Sequence, residues 1–181
     1  MKAITLWQPW ASLLACGAKQ YETRSWATNY RGPIAIHAAS KSIKSVYKEI
    51  FPCSDYEFHP SYFAKKQFCD AIKPYGLNEN EMPTGCITAT AELVNCWHIV
   101  HHPGTNVDVA KHINIGAELD VPKHHPDFLK YLVPTEQEML FGDWTPGRYA
   151  WEFTNIKILD KPISAKGQQR LWNWEENDEN I

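Results

Sequence analysis

The chain has 181 residues, of which 44% are apolar and 22% charged, and its formal net charge is −3. This composition suits a soluble globular protein with a real hydrophobic core, and the acidic sum argues against a protein that coats nucleic acid by bulk electrostatics. No stretch approaches the roughly 20 apolar residues of a bilayer-spanning helix. Residues 1–10 are interrupted by Gln8 and Pro9 and do not read as a signal peptide, so a cytoplasmic location without membrane association is expected.

Residues 8–17 read as a short helix, with Pro9 at its first position, Gly17 as its stop, and Trp10, Leu13 and Leu14 on a core-facing side. Residues 20–26 have strand-like composition, and after the turn at 31–33 residues 33–39 read as a buried strand. An amphipathic helix is expected at 40–50, where Ile43, Val46, Tyr47 and Ile50 recur at helical spacing. A second is expected at 61–72, with Ala64, Phe68, Ala71 and Ile72 on one face and Pro74 beyond its end. Residues 84–94 form the clearest strand, with Ile87, Ala89, Ala91 and Leu93 facing one way and Thr88, Thr90 and Glu92 the other. Residues 97–126 hold the least pattern. Thr135 and Glu138 have capping-box spacing for another helix. Residues 148–159 alternate again around Tyr149, Trp151 and Phe153, and the acidic tail at 175–181 is expected to fray. Strands interrupted by helices, with no repeat and no long linker, point to one α+β domain or small barrel over residues 1–174.

Charge is unevenly placed. Residues 1–48 carry seven Lys or Arg and one acid, Glu22, for a local net of +6, so the remainder is −9. This pattern fits a basic face on an acidic body, and equally lysines solvating separate surfaces. Five cysteines, at 16, 53, 69, 86 and 96, show no short pair spacing and read as buried free thiols in a reducing compartment. The histidines at 98, 101, 102, 112, 124 and 125 lack metal-ligand spacing, so no metal site is expected, and no glycine loop or other signature implies a cofactor.

The chemically dense segment is residues 17–26. Strand alternation places Glu22, Arg24 and Trp26 on one face and Tyr21, Thr23 and Ser25 on the other, and Lys19 can join Glu22 only from a loop. A lysine and a carboxylate at one pocket mouth could hold each other's charge or make the lysine a base. Arg24 would add a fork for phosphate or carboxylate. The same residues could instead form an ordinary surface Glu22–Arg24 pair beside a solvated Lys19. His37, between small neighbours, suits either a pocket wall or a satisfied core histidine.

Three runs carry a resemblance. They are Leu6-Trp7-Gln8-Pro9-Trp10-Ala11-Ser12-Leu13-Leu14, then Gly17-x-Lys19-x-x-Glu22-x-Arg24-Ser25-Trp26, then Tyr30-Arg31-Gly32-x-Ile34-x-Ile36-His37-Ala38. Together they resemble the ASCH (activating signal cointegrator homology) domain, whose signature is G-x-K-x-x-E-x-R. Pro83-Thr84-Gly85, Gly147-Arg148-Tyr149-Ala150-Trp151-Glu152 and Pro162-Ile163-x-x-Lys166-Gly167 agree with it, while residues 42–82 and 97–133 match weakly and read as insertions.

The resemblance implies a PUA-like fold, a small mixed β-barrel with surrounding helices and a cleft beside the first helix. It implies a ligand such as RNA, single-stranded DNA or a nucleoside, met by Gln8, Trp10, Lys19, Glu22, Arg24, Trp26, Arg31, His37, Lys41 and Arg148. Aromatic faces beside these cations suit base stacking, and Arg24, Arg31 and Lys41 would hold phosphates. Two enzymatic branches of the family deacetylate N4-acetylcytidine or cut RNA, and in such a hydrolase Lys19 and Glu22 would be catalytic. The deacetylating branch has threonine where this chain has Glu22, and Gln8-Pro9-Trp10 with Arg24-Ser25-Trp26 is closer to the cointegrator-type pattern. A binding module is the reading this favours, with the hydrolase as the alternative.

Overall fold

The computed structural model describes residues 1–78, 80–101, 108–112, 131–132 and 134–175. In chain order the elements are β1 (Lys2–Leu6), α1 (Trp10–Ala15), β2 (Tyr21–Arg24), β3 (Gly32–Ala38), α2 (Ile43–Ile50), α3 (Pro60–Ile72), a 3-10 turn (Lys73–Tyr75), β4 (Cys86–His101), β5 (Asp108–His112), β6 (Tyr131–Leu132), α4 (Glu136–Phe141), β7 (Tyr149–Ser164) and β8 (Leu171–Asn173). The architecture is mixed α+β, as the sequence patterning implies. No described helix is long and apolar enough to cross a membrane.

The strand order is β2-β7-β4-β3-β1-β8, with β5 on β4 and β6 on β5. The expected closed barrel is not formed: β2 and β8 end this order, and among the described residues they do not pair. Closure needs end strands whose tilt and stagger match over a useful length, and these are four and three residues long.

The chain divides into two compact units. The first contains Met1–Lys19, Pro33–Glu92 and Asn155–Ile181, and the second Gln20–Gly32 and Leu93–Thr154. In the first, β1 runs parallel to β3, with Ala3 opposite Ala35 and Ile4 opposite Ile36, and antiparallel to β8, with Ala3 opposite Trp172. Ala3, Ala35, Ile87, Trp172 and Trp174 form one buried cluster there. In the second, β2 lies antiparallel to β7, and Tyr21, Trp97, Ile99, Trp144 and Ala150 form a buried cluster.

α1 is shorter than the apolar pattern suggests, and five of its six residues are buried. Gly17, at φ +76, turns the chain out of the helix. The amides of Gly17 and Lys19 then take the carbonyls of Leu14 and Leu13, at 3.1 and 3.0 Å. α2 starts at Ile43 because the Ser42 side chain caps it, accepting from Ser45 N. α3 starts at Pro60, a residue whose missing N–H costs nothing in a first turn. Thr135 caps α4 through its bond from Glu138 N (3.2 Å), as the spacing predicts. The Glu138 carboxylate accepts from Gln20 N at 2.6 Å, which ties the start of α4 to the residue before β2.

β4 and β7 run seven and five residues beyond their expected ends at 94 and 159. In β4 the buried alternation of Ile87, Ala89, Ala91 and Leu93 resumes at Trp97 and Ile99 after polar Asn95. Thr88, expected on the open face, is buried and donates to Ile36 O at 3.3 Å. β5 falls within the patternless segment and β6 just beyond it.

The loop before β8 packs backbone onto a side chain. A Cβ at Gly167 would meet His37 Cε1 at less than any real contact distance, with Nδ1 at 2.6 Å and Thr5 Oγ1 at 3.0 Å. Gly167→Ala is therefore expected to destabilise the protein by about 1–3 kcal/mol, the usual cost of overpacking. Urea unfolding of the variant against wild type checks this, and an unchanged midpoint would show that the loop moves aside freely.

Candidate functional site

The ten residues of the expected site divide evenly between the units. Gln8, Trp10, Lys19, His37 and Lys41 lie in the first, and Glu22, Arg24, Trp26, Arg31 and Arg148 in the second.

In the first unit, Gln8 is fully buried. Its Oε1 accepts from Ser12 N (3.1 Å) and its Nε2 donates to Pro83 O (2.7 Å). It does for α1 what an N-cap side chain does, satisfying an amide with no intrahelical partner, while tying the helix start to residue 83. Trp10 packs edge-on against Phe68 of α3, with centroids 6.4 Å apart, and Tyr47 and Phe51 meet the same phenyl ring. Lys19 sits in the loop after α1, and its side chain is wholly withdrawn from solvent.

His37 is 1% exposed, and its Nε2 lies 3.0 Å from Ala165 O. A carbonyl only accepts, so the proton belongs on Nε2 and the Nδ1 lone pair faces inward. Nδ1 has no hydrogen-bond partner among the described residues. The ring meets Trp172 edge-on at 5.7 Å, and the Trp172 indole N–H donates to Thr5 Oγ1 at 3.2 Å. Lys41 pairs with Glu49, and its ammonium lies 3.8 Å from the centre of the Trp7 ring.

In the second unit, Glu22 and Arg24 share a strand face, as alternation requires. Arg24 Nε lies 3.3 Å from Glu22 Oε1, and the Glu22 side chain is only 12% exposed. Trp26 meets Trp151 edge-on at 4.6 Å, and Trp151 Nε1 donates to Trp26 O at 3.3 Å. Arg31 Nη1 donates to the carbonyls of Thr28 and Tyr30 at 2.9 and 2.8 Å, which makes it a brace for its own turn. Arg148 spans Asp143 Oδ2 at 3.2 Å and Thr23 O at 3.4 Å.

Three carboxylates of this unit were not singled out by sequence reasoning as site residues. Glu152 accepts from Trp97 Nε1 at 2.8 Å, and Glu138 holds Gln20 N. Burial pulls the Asp143 carboxyl upward, but hydrogen bonds from Thr145 and the charge of Arg148 outweigh it and hold the group below its ordinary range. Tyr21, packed edge-on against Trp144, is pushed up to about 12 by burial and by the carboxylates of Glu152 and Glu138, so it stays a neutral phenol. Glu138 left a sequence trace as the fourth residue of a capping box and Glu152 as the last residue of the run 147–152, whereas Asp143 left none.

No group of three or more His, Cys, Asp or Glu suited to a metal occurs among the described residues. His102, His124 and His125 lie outside the described residues. All five cysteines are free. Cys86 and Cys96 are buried, whereas Cys16 and Cys53 are exposed, against the expectation of buried thiols throughout. Cys16 lies just past the last turn of a short helix, and Cys53 in a turn at φ +62.

The ASCH domain family model matches residues 4–162, which covers both units' share of the signature. The chain belongs to the ASCH domain family. This ASCH domain is also similar to Activating signal cointegrator 1 of Homo sapiens and of Mus musculus, each 29% identical over 101 residues. The match takes in 51% of this chain and 14% of either relative, so the chain spans a small fraction of the proteins it resembles.

Burial lowers the His37 pKa, with the Ala165 carbonyl opposing the shift. The unfolded chain then binds this proton more readily than the folded one, so stability is fully present above the ordinary histidine pKa of about 6.5 and is lost as pH falls through it. Urea unfolding between pH 8 and 5 should show that loss in wild type. A His37→Leu variant, whatever its absolute stability, should lack that component, and identical pH slopes would remove His37 as its source.

Proposed function

We propose that this ASCH domain binds a nucleic acid or a nucleotide-like ligand through its G-x-K-x-x-E-x-R segment. The observation that supports this most is the burial of two ionisable residues in a short stretch, Lys19 at 0% and Glu22 at 9% exposure. Removing such groups from water costs several kcal/mol before any pairing offsets it. Alternating apolar residues could fill both positions more cheaply, and groups of this kind collect where a ligand is bound or transformed. Arg24, oriented beside Glu22, offers a planar fork of the kind that receives a phosphate or a carboxylate. Membership of the ASCH family, with its links to RNA metabolism, supports the same class of ligand, and similarity to a signal cointegrator fits a binding module.

The competing use of the same residues is hydrolysis of a modified-nucleoside amide or of single-stranded RNA, which the full burial of Lys19 would also suit. Glu22 stands where the deacetylating branch has threonine, which favours the binder.

Fluorescence anisotropy with single-stranded RNA, single-stranded DNA and free nucleotides, alongside a product assay, tests both. Arg24→Ala should weaken binding by about 10- to 150-fold, the loss of a charge-assisted hydrogen bond. Lys19→Met, which keeps the side-chain length, should cost affinity alone in a binder. In a hydrolase it should abolish turnover while binding survives. Turnover by wild type that Lys19→Met removes would overturn the binding reading.

A further inference from the structure

Trp7 stands outside the core and outside the signature. It follows β1 directly and is 40% exposed, although tryptophan is among the side chains that gain most from burial. The ammonium of Lys41 lies over its ring at 3.8 Å, and the same lysine reaches back to Glu49 of α2. Beyond Lys41, α2 carries Lys44 and Lys48, four residues apart and so on one face of the helix, and both are exposed. Among the described residues neither forms an ion pair. All four residues belong to the first unit.

An exposed indole followed by a row of ammonium groups has a chemical complement. Apolar partners would leave the lysines desolvated, and an acidic peptide would leave the indole without a flat counterpart. A single-stranded polynucleotide satisfies both: a base stacks on the exposed indole, and successive phosphates follow the lysines. Lys41 links the two roles, since an arriving phosphate competes with Glu49 for its charge.

We propose that Trp7, Lys41, Lys44 and Lys48 form a stacking platform for a single strand, with one base on the Trp7 indole and the backbone tracked along α2. This rests on the nucleic-acid reading of the domain and adds to it a binding surface separate from the signature segment. Recognition there is indifferent to sequence, because every base has a π-face and phosphates carry no sequence information.

The test uses fluorescein-labelled oligo-rU and oligo-dT of equal length on the full chain, titrated at several salt concentrations and read by anisotropy. Trp7→Ala should weaken binding about 5- to 150-fold, the range for loss of one base stack, whereas Trp7→Phe should retain most of the affinity. The Lys44→Gln/Lys48→Gln pair should lower the slope of log affinity against log salt by about 0.7 for each phosphate no longer neutralised. The losses should be similar on RNA and DNA. A Trp7→Ala loss confined to one of them overturns stacking in favour of sugar recognition. If wild type binds and Trp7→Ala binds equally well, the platform is wrong and the signature-segment reading stands. If wild type binds neither oligonucleotide, the platform falls, and the signature-segment reading is decided by the free nucleotides. Should Trp7→Ala fail to fold, the lysine pair decides alone, and an unchanged salt slope overturns the platform.

Discussion

Parallel pairing of β1 with β3 governs the layout of the signature segment. Two antiparallel strands can be joined by a two-residue turn, but two parallel ones need a crossover that carries the chain back to the same end. Here the crossover is residues 7–31, and it contains α1, β2 and the whole G-x-K-x-x-E-x-R signature. The helix must begin almost as soon as β1 ends, and Gln8 makes that abrupt start possible by giving Ser12 N the partner it would otherwise lack. The abrupt stop at Gly17 then delivers Lys19 into a loop rather than a strand.

Polar groups withdrawn from water recur throughout, and most are accounted for by specific partners. Glu138 and Glu152 each accept a hydrogen bond, from a backbone amide and an indole respectively, which turns part of an acidic composition into scaffolding. His37 has one nitrogen engaged and the other facing Gly167, an arrangement that tolerates a neutral imidazole far better than a charged one. Glu22, nearly as withdrawn, is held by the Arg24 guanidinium on its own strand.

Local rules make much of this legible. Proline and glycine bound α1, a serine and a threonine cap α2 and α4, and period-two alternation locates β4 and β7. The shared face of Glu22 and Arg24 comes from the same alternation, and the two side chains pair along it. The features hidden from such rules depend on distant parts of the chain. The second half of β4 is masked by polar Asn95, whose side chain accepts from Cys96 N. An open sheet cannot be told from a closed one, since the two differ only in whether the end strands pair. The bond from Gln8 Nε2 to Pro83 O joins residues 75 apart in sequence, beyond the reach of any local rule. Composition likewise does not reveal that Trp7 is a tryptophan left at the surface.

The uneven exposure of the thiols divides the chain chemically. Cys86 and Cys96 are buried, and burial also pushes their thiols up, so the reactive thiolate is scarce as well as shielded. Cys53 lies in the turn between α2 and α3, open to solvent. A maleimide dye would reach that turn readily, and Cys16 more slowly, because partial burial raises that thiol too. With Cys16 and the half-buried Cys69 replaced, Cys53 becomes a spectroscopic handle attached just past the end of the lysine-bearing helix.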